Sequence, residues 1–102
     1  MNILLACAMG MSTSILVSKM QKEAKQQNKK YRIWATSIDQ IDEESSYDVV
    51  VLGPQVCHRV DEVREQVDSK IPVIVIDRAA YGACDGKAVL EAAEEAVNKA
   101  RH

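Results

Sequence analysis

The chain has 102 residues, of which 47% are hydrophobic and 27% are charged, and its formal net charge is −2 at pH 7. This length and composition predict a single globular domain over residues 1–102 with one hydrophobic core. The small negative charge argues against electrostatic binding to nucleic acid or to an anionic membrane, and no apolar run reaches the roughly 18 residues that a membrane-spanning helix needs.

The first half of the chain holds two apolar runs with a helical pattern between them. Residues 3–6 are uniformly apolar and residues 12–28 carry apolar side chains at helical spacing, so we expect a buried strand followed by a helix. Residues 31–36 alternate more and include a charged side chain, which is typical of an edge strand. The short acidic stretch 38–47 predicts a loop or a single helical turn.

The second half contains two further strands, each followed by a helix. Residues 49–52 and 73–76 are uninterrupted aliphatic runs, which predict buried strands. Residues 55–68 place valines at spacings of four, three and four, and residues 86–101 place valines and alanines on one face, so both are predicted helices. Asp85 is suited to cap the second of these helices at its N-terminus.

Elements in this order predict an α/β domain with a four-stranded parallel sheet flanked by helices. Right-handed crossovers favour the strand order 2-1-3-4, with the first strand in a central position. Ligands of such sheets bind beyond the carboxyl ends of the strands, where the winding reverses, and this point lies between the first and third strands. The loop after the first strand, residues 7–12, is therefore the predicted ligand site.

That loop begins with a cysteine and continues with small and hydroxyl-bearing residues. Cys7 ends the first strand, and Ser12, Thr13 and Ser14 lead into the helix, where they can cap it and donate to phosphate oxygens. Backbone N–H groups and the helix N-terminus, which carries about half a positive charge, form an anion site. A thiolate held there is a nucleophile for phosphorus, whereas the alternative interpretation is a buried structural cysteine.

The loop lacks the arginine that the similar loop of low-molecular-weight cysteine phosphatases carries six residues after the cysteine. Thr13 occupies that position, and the chain also lacks the Asp-Pro dipeptide of their acid loop. Without the guanidinium, the main stabiliser of charge on the transferring phosphoryl group is lost. A phosphocysteine is then expected to persist, as a relay requires. A phosphatase or arsenate reductase and a noncatalytic phosphate-binding regulator are the alternatives.

The loop and several later motifs resemble the enzyme IIB component of the bacterial sugar phosphotransferase system, in its lactose/cellobiose (chitobiose) branch. The family loop usually reads C-S-A-G-M-S-T-S, and here it reads Cys7, Ala8, Met9, Gly10, Met11, Ser12, Thr13, Ser14. The resemblance continues through residues 16–20, 51–55, 75–77, 81–82 and 85–86 and through the alanine-rich final helix. It spans nearly the whole chain.

The resemblance implies a cytoplasmic phosphocarrier enzyme that needs no metal or organic cofactor. A phosphohistidine of the IIA component would donate to Cys7, and the membrane IIC component would present the acceptor hydroxyl of a bound sugar such as cellobiose, chitobiose or lactose. Both complexes would be transient and the protein otherwise a monomer. Ala8 and Met9 replace the family's Ser and Ala, and loss of the serine hydroxyl removes one phosphate hydrogen bond, worth about 0.5–1.5 kcal/mol.

Four residues are candidates for the loop rim or for partner docking: Met11, Pro54, Gln55 and Tyr81. Met11 is either core filler or an adaptable partner contact. Pro54 and Gln55 follow the third strand together with Gly53, and the three residues are expected beside the cysteine loop, although Pro54 is also an ordinary residue for starting a helix. Tyr81 lies in the predicted loop after the fourth strand and is expected to line the docking face.

The other two cysteines, Cys57 and Cys84, follow the third and fourth strands. The three cysteines match no zinc spacing and form no Cys-x-x-Cys motif, which disfavours a redox protein. Residues 1–10 lack the basic segment of a signal peptide, so the cysteines are expected to be reduced in the cytoplasm. Cys57 and Cys84 are interpreted as incidental small residues. The sharper hypothesis is that oxidation joins one of them to Cys7 and blocks phosphotransfer.

Overall fold

The fold is taken from a computed structural model, which describes residues 1–7, 13–41, 47–67 and 70–100. Strands, helices and two 3-10 segments make up these residues. In chain order they are β1 Asn2–Cys7, α1 Thr13–Gln26, β2 Arg32–Ser37, a 3-10 turn Ile38–Gln40, β3 Val49–Leu52, a 3-10 segment Pro54–Arg59, α2 Val60–Gln66, β4 Val73–Val75, α3 Arg78–Gly82 and α4 Gly86–Ala100.

The strands form one parallel sheet in the order β2-β1-β3-β4, which confirms the predicted order. β1 pairs with β2 up to Cys7 opposite Ser37, and with β3 up to Ala6 opposite Leu52. β3 pairs in turn with β4. β1 is therefore hydrogen-bonded on both sides, and its carboxyl end places Cys7 where the winding of the sheet reverses.

Uniformly apolar strands build a core on each face of the sheet, because successive side chains point to opposite faces. Ile3 and Leu5 of β1 pack with α1 and α4 on one face. Leu4 and Ala6 pack on the other face, against α2 and the two 3-10 segments. The helices and turns contribute Leu16, Met20, Ala24, Val89, Leu90, Ala93 and Val97 to the first core, and Ile38, Val56 and Val63 to the second.

The predicted helix over residues 55–68 is wrong in its first half. Pro54–Arg59 is a 3-10 segment with a kink at Val56, where φ is −116° and ψ is 20°, and α2 begins only at Val60. Val56 and Val63 are nevertheless both buried. The valine spacing predicted which side chains are buried but not the backbone conformation, because 3-10 and α-helical turns both bring residues three or four apart to one face.

A short helix that was predicted as a loop follows β4. Tyr81 lies in this helix, α3, which spans five residues. Asp77 caps it, since its carboxylate accepts hydrogen bonds from two backbone N–H groups of α3 at 3.1 and 3.3 Å. The cap predicted for α4 is confirmed, because the Asp85 carboxylate accepts a hydrogen bond of 3.1 Å from the backbone N–H of Ala88. The two caps together set the turn that leads from β4 into α4.

A polar network ties the segment after α1 to α4. Glu94 accepts hydrogen bonds from the ammonium of Lys29 at 2.5 Å and from the phenol of Tyr31 at 2.8 Å. Burial and the hydrogen bond to Glu94 raise the pKa of Tyr31 to about 12. Burial also works to raise the pKa of Glu94, but the hydrogen bonds from Lys29 and Tyr31 outweigh it and lower that pKa. The ionised carboxylate thus stabilises the fold above the unfolded pKa of about 4.3, and this contribution is lost as the pH falls through the folded pKa.

Replacing Glu94 with glutamine is expected to lower the free energy of unfolding by about 1–2 kcal/mol at neutral pH, because a neutral amide accepts weaker hydrogen bonds. The matched control is Glu95→Gln, which removes an exposed ion pair of 3.0 Å with Lys99 and should cost less than about 0.5 kcal/mol. Urea unfolding measures both variants, and the deficit of Glu94→Gln should shrink in acid. Equal losses at neutral pH would show that the network is worth no more than a surface pair.

Candidate functional site

Cys7 lies at the end of the central strand and is only 3% exposed. Its neighbour across the sheet on one side is Ser37 of β2. Burial alone does not separate a nucleophile from a structural cysteine, because free cysteines are commonly buried. Its position adds a second observation, since the carboxyl end of a central parallel strand at a winding reversal is where such sheets bind ligands.

The segment that follows Cys7 belongs only partly to the described residues. Thr13 and Ser14 form the start of α1, and the side chain of Ser14 is exposed. The remaining predicted loop residues, which lie outside the described residues, are Ala8, Met9, Gly10, Met11 and Ser12. The described geometry therefore places α1 directly after the loop, as an anion site at a helix N-terminus requires.

Gly53, which follows β3, comes into close contact with the cysteine. Its N–H donates a hydrogen bond of 2.9 Å to the carbonyl of Ala6. A Cβ built on Gly53 would lie 3.4 Å from the Cβ of Cys7 and 3.0 Å from Oε1 of Gln55. The chain after β3 thus passes against Cys7, and Gln55 folds back over the same point. The sequence predicts Gly53 directly after the third strand and beside the cysteine loop, and the structure places it there.

An open cleft of about 360 Å³ adjoins this contact. It is lined by Pro54, Gln55, Arg78, Tyr81 and Gly82. Three of the four predicted rim residues are therefore brought together, while Met11 lies outside the described residues. Arg78 was missed, although its position two residues after the predicted fourth strand places it at the same edge of the sheet. The walls come from the segments after β3 and β4, which are neighbours in the sheet.

Two arginines near this edge of the sheet, Arg59 and Arg78, differ in whether a carboxylate is bound to them. Arg59 donates to Asp39 at 2.9 Å and to Glu62 at 2.8 Å. The hydrogen bond from Arg59 holds the pKa of Glu62 below its usual value. Arg78 has no hydrogen bond or ion pair with any residue in the described part of the chain. The guanidinium of Arg59 is thus neutralised by two carboxylates, whereas Arg78 lines the cleft and its charge is not compensated by a described side chain.

The other two cysteines lie on separate turns. Cys57 is exposed in the 3-10 segment after β3, and Cys84 is half-buried before α4 with φ of 50°. None of the three cysteines forms a disulfide. Within the described ranges, no group of three His, Cys, Asp or Glu side chains is placed to hold a metal ion, and none of the helices there has the length and apolar character needed to cross a membrane.

Comparison with known proteins gives consistent matches over most of the chain. The sequence model of the family described as "PTS system, Lactose/Cellobiose specific IIB subunit" matches residues 2–92. The galactose-specific EIIB component of the PTS system of Lactococcus lactis subsp. cremoris is 45% identical over 103 residues, covering 94% of this chain and 95% of that protein. The oligo-beta-mannoside-specific EIIB component of Bacillus subtilis is 43% identical over 94 residues, covering 90% and 91%.

Solved structures show the same similarity. The solution structure of a cellobiose-specific phosphotransferase IIB component from Borrelia burgdorferi superposes with a TM-score of 0.79 at 39% identity, covering 97% of this chain and 93% of that one. The lactose-specific IIB component domain from Streptococcus pneumoniae superposes with a TM-score of 0.78, covering 94% and 96%, but at 18% identity it speaks for the fold alone. The fold found here is thus one that solved proteins share over nearly their full length.

Proposed function

Because the chain belongs to the lactose/cellobiose-specific IIB family of the sugar phosphotransferase system, we propose that it carries a phosphoryl group on Cys7 between a donor protein and a sugar. The donor is the IIA component, phosphorylated on a histidine. The acceptor is a sugar held by the membrane IIC component. The protein needs no cofactor for this role, and it works in the cytoplasm as a monomer that forms transient complexes.

The observation that carries this function is the place of Cys7. It ends the central strand, at the winding reversal, with the start of α1 following and Gly53 packed beside it. Backbone N–H groups of the segment 8–14 and the N-terminus of α1 supply the anion site for the phosphoryl oxygens. Ser12, Thr13 and Ser14 add hydroxyl donors, and Ala8 in place of serine removes one.

Phosphoryl acceptance is a displacement at phosphorus. The Cys7 thiolate attacks the phosphorus of the donor phosphohistidine, an S–P bond forms, and the P–N bond breaks with its electron pair passing to the imidazole nitrogen. The imidazole takes up the proton that the thiol has given up, so the donor returns as a neutral histidine. Charge on the transferring group is held by the hydrogen-bond donors of the loop.

Phosphoryl donation is a second displacement at phosphorus, in which the sulfur of Cys7 is now the leaving group. The oxygen of a sugar hydroxyl attacks the phosphorus, an O–P bond forms, and the S–P bond breaks to return the Cys7 thiolate. The proton of the hydroxyl leaves to a base on the acceptor's side. Thr13 stands where related cysteine phosphatases carry an arginine, so the loop does not favour attack by water in the same way. The phosphocysteine persists until a sugar arrives.

The sugar is assigned as a β-linked disaccharide of the cellobiose, chitobiose or lactose type. Relatives named for galactose and for oligo-beta-mannosides are 45% and 43% identical to this chain, so overall identity does not select one sugar. In this arrangement the chain holds only the phosphoryl group, and the IIC component selects the sugar.

Intact mass measurement tests the carrier function. The protein is incubated with phosphoenolpyruvate, the general phosphotransferase proteins and a IIA partner. One added phosphoryl group is expected, located by peptide mapping on the segment that contains Cys7. The group should disappear when IIC and its sugar are supplied. Hydrolysis of an aryl phosphate by this chain alone would instead support the phosphatase alternative, and no added mass would support a noncatalytic regulator.

A further inference from the structure

Arg78 is a charged residue at the proposed site that the transfer chemistry does not use. It is the first residue of α3, it is exposed, and it lines the cleft with Pro54, Gln55 and Tyr81. The residue before Pro54 is Gly53, where a Cβ would lie 3.4 Å from the Cβ of Cys7. Arg78 therefore lines a cleft whose other wall begins one residue after the segment that passes Cys7, although it comes from a different part of the chain than the loop that holds the phosphoryl group.

The charge of Arg78 is uncompensated by any described side chain, in contrast to that of Arg59. Arg59 is held by Asp39 and Glu62 in hydrogen bonds of 2.9 and 2.8 Å. No such bond is made to Arg78 within the ranges that the structure describes. A guanidinium is permanently charged and offers five N–H donors, so an uncompensated one beside a cleft attracts carboxylates and phosphates.

Arg78 is not needed for the fold of its own helix. The side chain of Asp77 makes the cap hydrogen bonds of α3, at 3.1 and 3.3 Å. Arg78 is the first residue of the helix, where the helix dipole is positive, so its positive charge does not stabilise the helix. Exposed substitutions that touch neither a cap nor the core usually change stability very little. Its variants are therefore expected to fold.

We propose that Arg78 recognises the phosphorylated donor, drawing the anionic, phosphohistidine-bearing face of that protein to the cleft beside Cys7. The assignment rests on the proposed carrier function, because it concerns the encounter that precedes transfer. A rim charge of this kind acts on the rate of association and on its salt dependence more than on the chemical step. Its reach is about 8 Å at physiological ionic strength and longer at low salt.

The test measures initial rates of phosphoryl transfer from the phosphorylated IIA component to this chain, over a range of chain concentrations at low and at physiological salt. Arg78→Gln is expected to lower kcat/KM about 3- to 10-fold at low salt, with a smaller loss at higher salt and an unchanged kcat. Arg78→Lys keeps the charge and should stay near the wild type. The control for net charge is Lys30→Gln, an exposed residue before β2 at the opposite edge of the sheet, which should also stay near the wild type.

Each result decides the role of Arg78. The recognition role is overturned if Arg78→Gln matches the wild type at low salt, or if Arg78→Lys is as slow as Arg78→Gln. It is also overturned if Lys30→Gln is as slow as Arg78→Gln. A fall in kcat with unchanged KM would also overturn it, because the residue would then act in the chemical step. A wild-type chain that accepts no phosphoryl group would overturn the carrier function itself, and the recognition role with it.

Discussion

Replacing Cys7 with serine is expected to abolish phosphoryl acceptance, lowering the rate by on the order of a thousandfold or more. The hydroxyl fills nearly the same space as the thiol but is almost wholly protonated at neutral pH, so it is a weak nucleophile without an adjacent base. Cys7 is 3% exposed, and placing a hydroxyl there should also cost about 1–2 kcal/mol of stability. Intact mass after incubation with phosphoenolpyruvate and the partner proteins measures the loss, at a temperature where the variant remains folded.

Cys57→Ser and Cys84→Ser are the matched controls for this substitution. Both residues are free cysteines, one exposed and one half-buried, and neither ends a strand. Both variants should accept one phosphoryl group at the wild-type rate. Mild peroxide treatment of the same set tests the redox hypothesis, because a disulfide to Cys7 should form only where its partner cysteine is kept. A phosphorylated Cys7→Ser chain, or a Cys57→Ser chain that accepts nothing, would contradict the assignment of Cys7.

Replacing Gly86 with alanine is expected to lower the free energy of unfolding by about 1–3 kcal/mol or more. Gly86 begins α4 and is buried against α1. A Cβ at this position would lie 2.7 Å from the carbonyl carbon of Lys19 and 2.8 Å from the backbone nitrogen of Met20. Backbone atoms of a helix cannot move aside as a flexible side chain can, so the two helices must separate and the core between them must loosen.

Gly82→Ala is the matched control, because a Cβ built on Gly82 has no atom within 4 Å. Gly82 is exposed at the end of α3, and alanine there should leave the stability unchanged or raise it by up to about 1 kcal/mol. Urea unfolding followed by circular dichroism compares the two variants with the wild type. If Gly86→Ala were as stable as Gly82→Ala, α1 and α4 could not be as close as the structure places them.

The sheet could be predicted from the sequence because its signals are local and strong. Residues 49–52 and 73–76 are uniformly aliphatic, which is typical of strands covered on both faces, and the handedness of crossovers leaves few strand orders. The observed order agrees with the prediction. α3 could not be predicted in this way, since a helix of five residues is too short to show a periodic pattern. The kink at Val56 was missed because the valine spacing suits both kinds of helical turn.

Part of the candidate site could also be predicted from local sequence signals, and part depends on contacts between distant residues. The position of Cys7 after the first strand could be read from the sequence, because the strand pattern and the winding rule together fix that end of the sheet. Gly53 could be placed beside it as well, because it directly follows the third strand. The unpaired charge of Arg78 could not be predicted, because it depends on which charged side chains find partners after folding. Such pairing leaves no pattern in the order of residues.

The double pairing of β1 has a consequence for how the protein opens. An edge strand can detach by breaking one ladder of hydrogen bonds, but β1 is joined to β2 and to β3 at once, and its side chains belong to both cores. Releasing it requires nearly the whole free energy of unfolding, as for other core strands. The backbone amide protons in the middle of β1 are therefore expected to be among the last in the chain to exchange with water, and fraying at the ends of the helices leaves in place the strand that carries Cys7.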